Sequence, residues 1–154
     1  DLQAGWRAAE FLTLSGSASY NDSEVKENVP LTATTFLATK GKKLVETPDW
    51  TYSLRADFKF GERFTAGIQG KYVGERAGTD LNDEFAPSYT VVDIDASYTF
   101  DVSDSTSLEA QFNVINVLDK EYFGSISSGT GGTSVAFYSV GAPRTAMMSL
   151  KLRF

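Results

Sequence analysis

The sequence predicts an all-β protein, in which this chain forms seven strands of a transmembrane antiparallel up-and-down β-barrel. Three observations predict this fold class. Apolar and polar residues alternate in seven segments, short and long connections alternate between these segments, and aromatic residues gather at both segment ends. A period of two places successive side chains on opposite faces of a strand, so each segment has one apolar and one polar face. Tight turns at one end and long loops at the other are typical of membrane barrels.

The first two predicted strands, 2–8 and 12–21, are joined by the short connection Ala9–Phe11. In the second strand, serine and threonine occupy the polar positions, and leucine, glycine, alanine and tyrosine occupy the apolar ones. The following segment, Asp22–Asp49, loses the period and contains two prolines, which predicts a long loop.

The third and fourth predicted strands, 52–60 and 64–72, flank the short turn Gly61–Glu62. The alternation is clearest in the third strand, where every even position is tyrosine, leucine, alanine or phenylalanine and every odd position is polar or charged. The segment Gly74–Ser88 has no such period and is rich in acidic residues, so we predict a second long loop.

The fifth and sixth predicted strands, 92–100 and 108–114, lie on either side of a short turn at Asp101–Asp104. A third long loop is predicted at Leu118–Val140, and its Ser/Gly/Thr-rich stretch 125–134 is predicted to be mobile. The seventh strand, 146–154, has only apolar residues at its even positions, and Phe154 keeps this register. A strand that ends on an aromatic residue suits a barrel wall whose last residue lies at a membrane interface.

Aromatic residues form two predicted girdles. At the short-turn end they are Phe60, Phe64, Phe100 and Phe154, and at the long-loop end they are Tyr20, Tyr52, Tyr72 and Tyr89. Such belts mark the two interfaces of a bilayer. No charge falls in the middle of a strand on the apolar face, where a lysine or arginine would cost about 2–4 kcal/mol in lipid.

The composition excludes several classes of function. Histidine and cysteine are both absent, which removes the usual zinc, haem and iron–sulfur sites and cysteine or Ser-His catalysis. A net charge of −6 with scattered basic residues argues against nucleic acid as a partner. Asp93 and Asp95 lie on the same face of one strand, which is the ordinary polar lining of a barrel and does not indicate an acid/base pair. We predict no catalytic residue, no metal site and no cofactor.

Two motifs near the end of the chain resemble those of a known family. Residues 113–122, Asn-Val-Ile-Asn-Val-Leu-Asp-Lys-Glu-Tyr, resemble the N-x-x-N-L-F-D-K-x-Y segment of TonB-dependent outer-membrane receptors, with Val117-Leu118 in place of Leu-Phe. Residues 138–145, Tyr-Ser-Val-Gly-Ala-Pro-Arg-Thr, are similar to the family's G-x-P-R-T arm. The segments 41–48, 72–76 and 88–93 also fit, in the family's order.

The resemblance implies a plugged outer-membrane barrel of about 22 strands that imports a scarce nutrient with energy from the TonB complex. Residues 1–154 would be its C-terminal barrel segment, and the plug domain, the TonB-contacting box and a signal peptide have no counterpart in this sequence. A ferric siderophore is the expected substrate, with carbohydrates or vitamins as alternatives. A passive porin-like channel and a soluble all-β binding module remain alternative interpretations. The sequence predicts no particular substrate-binding residue.

Two groups of site residues are predicted. The resemblance implies that the apolar row Met148, Leu150, Leu152 and Phe154 is the signal that the outer-membrane assembly machinery reads. Arg76 and Arg144 share the parity of the lipid-facing residues at the long-loop rim. Contact with lipopolysaccharide phosphates is one hypothesis for them, and simple snorkelling of the guanidinium groups to the interface is the alternative. The expected partners are outer-membrane lipid, lipopolysaccharide, the plug, the TonB complex and a small-molecule substrate.

The strand count predicts that this chain does not close a barrel by itself. Bacterial single-chain barrels have an even number of strands, and the seven predicted here would leave two open edges. Unpaired backbone groups at these edges cannot be satisfied by lipid. We therefore expect the strands near Leu2 and Phe154 to pair with strands outside this sequence.

Overall fold

The computed structural model describes residues 1–128 and 135–154, which contain thirteen β-strands. In chain order the strands are β1 (Leu2–Ala9), β2 (Leu12–Tyr20), β3 (Val29–Pro30), β4 (Phe36–Leu37), β5 (Trp50–Phe60), β6 (Phe64–Val73), β7 (Arg76–Ala77), β8 (Phe85–Ala86), β9 (Tyr89–Ser103), β10 (Thr106–Ile115), β11 (Phe123–Ser128), β12 (Ala136–Val140) and β13 (Thr145–Arg153). Residues 129–134, most of the stretch for which mobility is predicted, lie outside the described residues.

Seven long strands form one antiparallel sheet in the order β1-β2-β5-β6-β9-β10-β13. All seven predicted strands are confirmed, and each neighbour in the sheet is the next long strand along the chain. This up-and-down order follows from the short turns between the members of each hairpin, because antiparallel strands need only a tight connection.

The cross-strand register carries the predicted two faces across the whole sheet. One row of paired residues is apolar in every strand: Trp6, Leu14, Ala56, Ile68, Ile94, Val114 and Ala146. The adjacent row points to the other face and is polar except for its glycine and its methionine: Arg7, Thr13, Asp57, Gly67, Asp95, Asn113 and Met147. A shift of one residue in any pair would put polar groups on the apolar face, so the pattern specifies this register.

The predicted turn at Asp101–Asp104 is displaced. Strand β9 continues to Ser103, β10 begins at Thr106, and Asp101 pairs with Ser107. The polar residues at the end of β9 resemble a turn in sequence, although the backbone there still pairs with β10. Strand β9 also begins earlier than predicted, at Tyr89.

Three long connections join the hairpins at one end of the sheet: the first connection (21–49), the second connection (74–88) and the third connection (116–144). The prediction of plain loops is wrong, because each contains a small two-stranded sheet, formed by β3–β4, β7–β8 and β11–β12. These ladders pair two to five residue positions each, which is too short for a period to be visible in the sequence.

The sheet is open. Within the described residues, β1 pairs only with β2, and β13 pairs only with β10. A barrel is therefore not closed by this chain, as the strand count predicts. The described part of the chain has no helix that is long and apolar enough to cross a membrane.

Candidate functional site

The apolar face of the sheet is an extended, uncovered surface. Large side chains on it stay solvent-exposed in this chain, with Leu54 at 69% and Met148 at 67%. Monomeric soluble proteins rarely leave apolar patches of this extent open. Tyr52 and Phe60 belong to the two girdles on β5 and are eight residues apart, or about 26 Å along the strand. With a strand tilt of about 40° that length gives a band roughly 20 Å tall, close to the apolar band of membrane barrels.

Aromatic rings line both ends of this face and contact one another. At the long-connection end a series of rings runs from Tyr20 through Trp50 and Tyr52 to Tyr72, with centroid separations of 4.7, 5.6 and 5.4 Å. At the short-turn end Phe60 stacks on Phe11, Phe58 and Phe64 at 5.8–6.3 Å.

Tyr89 does not belong to the outer girdle, so its predicted place there is wrong. It pairs with Val73 in the ladder and forms a small buried core with Val73 and Val91. The ring of Tyr122 from the third connection covers this core, with its centroid 4.4 Å from that of Tyr89. The odd position of Tyr89 places it on the polar side of the sheet, which explains why Val73 and Val91 break the polar pattern there.

The polar face carries a charged cluster that spans three strands. Arg55 on β5 bonds Asp57 on its own strand (Nε to Oδ1, 2.8 Å) and reaches Asp95 on β9 (Nη1 to Oδ1, 2.9 Å). The strand between them, β6, has Gly67 at the crossing point, and a Cβ there would lie 2.7 Å from the Asp95 carboxylate and collide with the Arg55 guanidinium. This part of the polar face is thus an ion-pair network, in which Asp95 pairs with Arg55.

Asn116 organises the base of the third connection. It is 2% exposed and adopts a left-handed backbone (φ 50°), which asparagine tolerates better than most residues. Its Nδ2 donates to the carbonyls of Lys120 and Ala142, both at 2.9 Å, and its Oδ1 accepts from the Lys120 amide at 2.8 Å. The Asn116 amide itself donates to Asp93 Oδ1 at 2.7 Å. The second asparagine of the N-x-x-N motif is therefore a structural clamp, and Asp93 is its anchor on the sheet.

The two sequence motifs contact each other. Asp119, also left-handed (φ 52°), accepts a hydrogen bond from the Arg144 amide (3.0 Å), and its other carboxylate oxygen lies 3.6 Å from the Arg144 guanidinium. The Arg144 side chain remains more than half exposed at the long-connection end of the sheet. Its predicted rim position agrees with the structure, and contact with lipopolysaccharide stays a prediction.

The predicted lipid-facing position of Arg76 is wrong. This residue is 4% exposed, and its guanidinium donates to the carbonyls of Phe123 (2.5 Å) and Gly124 (3.4 Å) in the third connection. The strand period ends at Val73, and Arg76 belongs to the separate strand β7, so the parity of β6 does not extend to it. A buried arginine with these partners is not available to a lipid phosphate.

The remaining predicted site residues lie on the last strand. Met148, Leu150 and Leu152 project from the apolar face of β13, and Phe154 follows directly after the strand with 98% exposure. Their assembly role stays a prediction. Within the described ranges, no group of three or more acidic side chains is placed to hold a metal ion.

Sequence reasoning missed two arrangements, the Arg55–Asp57–Asp95 cluster and the contacts of Arg76 with the third connection. The sequence contains one signal of the charged cluster. Gly67 stands at a polar position of its strand, and the neighbouring strands carry Arg55 on one side and Asp95 on the other. The contacts of Arg76 leave no such signal, because their residues lie in segments without a period.

The family model "TonB dependent receptor-like, beta-barrel" matches residues 1–117 of the 154 in this chain. The chain belongs to this family. Its members are transport receptors in the outer membrane of Gram-negative bacteria. In this chain the family's barrel wall is the seven-stranded sheet, which the match covers from β1 through β10.

Relatives in the family include siderophore receptors. The ferrioxamine B receptor of Salmonella typhimurium strain SL1344 is 28% identical over 158 aligned positions, covering 100% of this chain and 21% of the relative. The chain thus spans about a fifth of the length of that TonB-dependent receptor.

Solved structures share the fold. The siderophore receptor PiuA from Acinetobacter baumannii superposes with a TM-score of 0.73 at 22% identity, over 97% of this chain and 20% of that one. The ferric citrate transporter FecA gives a TM-score of 0.71 at 18% identity, over 92% and 21% of the two chains. At these identities the likeness establishes the TonB-dependent receptor barrel as the fold.

Proposed function

We propose that this chain is the C-terminal barrel segment, residues 1–154, of an outer-membrane receptor that takes up a ferric siderophore with energy from TonB. The observation that carries the proposal is the family's barrel wall, an antiparallel sheet with one apolar, doubly girdled face and one polar face. The apolar face contacts lipid, and the polar face lines the interior that a plug and a substrate would share. The chain carries binding and positioning roles only, and no catalysis is proposed for it.

The substrate class is supported by the relatives. Two relatives that match this chain end to end are named for ferrioxamine B, and the structural neighbours include receptors named for siderophores and a transporter named for ferric citrate. Iron(III) carried by a chelator is therefore the proposed substrate.

Uptake of iron-55 bound to ferrioxamine B tests the function. The full-length receptor is produced in a Gram-negative host without siderophore receptors of its own, with and without a functional TonB complex. We expect uptake only when receptor and TonB are both present, because a plugged barrel has no open path. Cells with an empty vector are the control.

Two outcomes would contradict the proposal in different ways. Uptake that does not depend on TonB would indicate a passive porin-like channel. An absence of uptake for ferrioxamine B, ferric citrate and ferric catecholates, together with receptor-dependent growth on a limiting carbohydrate or vitamin, would replace the substrate class.

We also propose that Arg144 binds a phosphate of lipopolysaccharide at the outer rim. Among the residues that the structure describes, its exposed guanidinium has one carboxylate neighbour, at 3.6 Å, which leaves donors for a bidentate anion contact. The variant Arg144→Gln in the full receptor should co-purify with less lipopolysaccharide than the wild type. Arg63→Gln is the matched control, since Arg63 is an exposed, carboxylate-paired arginine at the short-turn end. Equal lipopolysaccharide in all three proteins would rule out this contact.

A further inference from the structure

The first and second connections are joined by one backbone hydrogen bond and by two hydrogen bonds between the Asn82 side chain and the Lys43 backbone. The Glu46 amide donates to the Ala77 carbonyl at 3.0 Å. Asn82 clamps Lys43 from both sides, accepting from its amide (2.6 Å) and donating to its carbonyl (3.0 Å). We call this joined part, residues 43–46 with 77–82, the platform.

The third connection attaches to the platform through side chains. Arg76 holds the Phe123 and Gly124 carbonyls, and the Glu46 carboxylate accepts from the Ile126 amide at 3.0 Å. The phenol of Tyr138 on β12 lies against Gly78, where a Cβ would collide with its hydroxyl. Burial raises the pKa of this phenol.

The Arg76 side chain is buried, but its hydrogen-bonding groups are not all paired among the described residues. Its guanidinium lies 3.9 Å from the Glu46 carboxylate and 5.5 Å from the Tyr89 ring centroid. Among the described residues, no acceptor lies within hydrogen-bonding range of its buried Nε. Burying a charge with an imperfect partner costs free energy. If the third connection left the platform, hydration of the Arg76 guanidinium would therefore offset part of the free energy of the hydrogen bonds that it loses.

We propose that Arg76 and Glu46 form a latch that holds β11 and β12 against the platform, and that this part of the third connection detaches as one unit while the platform stays joined. The platform is expected to stay joined because none of the hydrogen bonds described within it uses the Arg76 side chain. The inference concerns movement of the connections and holds whatever the substrate is.

Hydrogen–deuterium exchange of the full-length receptor tests the latch. In Arg76→Gln, peptides covering 123–128 should exchange about tenfold faster or more, because hydrogen bonds to a charged group each contribute about an order of magnitude to an equilibrium constant. Peptides covering 43–46 and 77–82 should exchange as in the wild type. Arg63→Gln, at the other end of the sheet, should change neither region.

Equal acceleration of the platform and of 123–128 in Arg76→Gln would overturn the proposal, and so would unchanged exchange at 123–128. If Arg76→Gln does not give a folded, heat-modifiable barrel, the Glu46 variants decide. Glu46→Gln keeps an oxygen acceptor for the Ile126 amide, whereas Glu46→Ala removes it together with the charge. We expect faster exchange at 123–128 in both variants, with the larger effect in Glu46→Ala. Wild-type exchange in Glu46→Ala would exclude the latch.

Discussion

At the residue scale, single polar side chains decide where the chain leaves and re-enters the sheet. Asn116 satisfies three backbone groups of the third connection with one buried amide and also supplies the left-handed backbone that the bend requires. A buried amide is tolerated only when it is hydrogen-bonded in this way. The asparagine is thus required by geometry and by solvation at the same time.

Asn116→Ala should lower the free energy of unfolding of the full receptor by about 3 kcal/mol, since it removes three hydrogen bonds and replaces asparagine at a positive φ with alanine, which tolerates that backbone less well. Urea unfolding in detergent, followed by the shift of the heat-modifiable band, measures the change. Asn113→Ala is the matched control, because the Asn113 side chain accepts one bond, from Gln111 at 3.1 Å. If the two variants are equally stable, Asn116 is not a clamp.

Gly67 is required because it has no side chain, which leaves room for Arg55 to reach Asp95. Gly67→Ala should cost about 1–3 kcal/mol by pushing Arg55 away from Asp95. Gly70→Ala on the same strand should be nearly neutral, since nothing lies within 4 Å of its added Cβ. The penalty at Gly67 should shrink in an Arg55→Ala background, which a double-mutant cycle of unfolding free energies measures. An unchanged penalty would place the strain elsewhere.

At the element scale, the long strands follow from a local rule and the connections do not. Strand β6 keeps its two faces as far as Tyr72, and the rule then fails at Arg76, whose side chain turns into the connections. Strand β13 keeps the rule to its end, with Met148, Leu150 and Leu152 on the apolar face.

Deleting Phe154 in the full-length receptor should lower the yield of folded, heat-modifiable barrel, since its ring continues the apolar row of β13 at the short-turn end. Phe154→Tyr keeps an aromatic ring suited to an interface and should fold at close to the wild-type yield. Densitometry of the folded and unfolded bands gives the comparison. A wild-type yield from the deletion variant would contradict the proposed assembly signal.

At the scale of the whole molecule, the open sheet is the feature that most needs a partner. The outward backbone groups of β1 and β13 pair with nothing among the described residues, and lipid offers them no hydrogen bond. This cost supports the proposal that both strands have neighbours in the rest of a TonB-dependent receptor barrel.

In the full-length receptor, amides of β1 and β13 should therefore exchange as slowly as those of the central strands β5 and β6. Hydrogen–deuterium exchange with peptides covering 2–9, 50–60, 64–73 and 145–153 measures this. The central strands are the internal control, since both of their edges are paired within this chain. Fast exchange in β1 or β13 alone would mean that the edge stays open.

The sequence by itself determined the seven long strands, their two faces, the side of the short turns, and the girdle places of Tyr20, Tyr52, Tyr72, Phe60 and Phe64. Alternation is a property of neighbouring residues, and the physics of a sheet in lipid translates it directly into structure. Only the tertiary structure decided that Arg55 crosses Gly67 to reach Asp95, that Arg76 is buried, and that the three connections join. These contacts pair residues far apart in the chain, from segments that carry no period. Their partners depend on how the connections fold over the end of the sheet, and no local pattern records that.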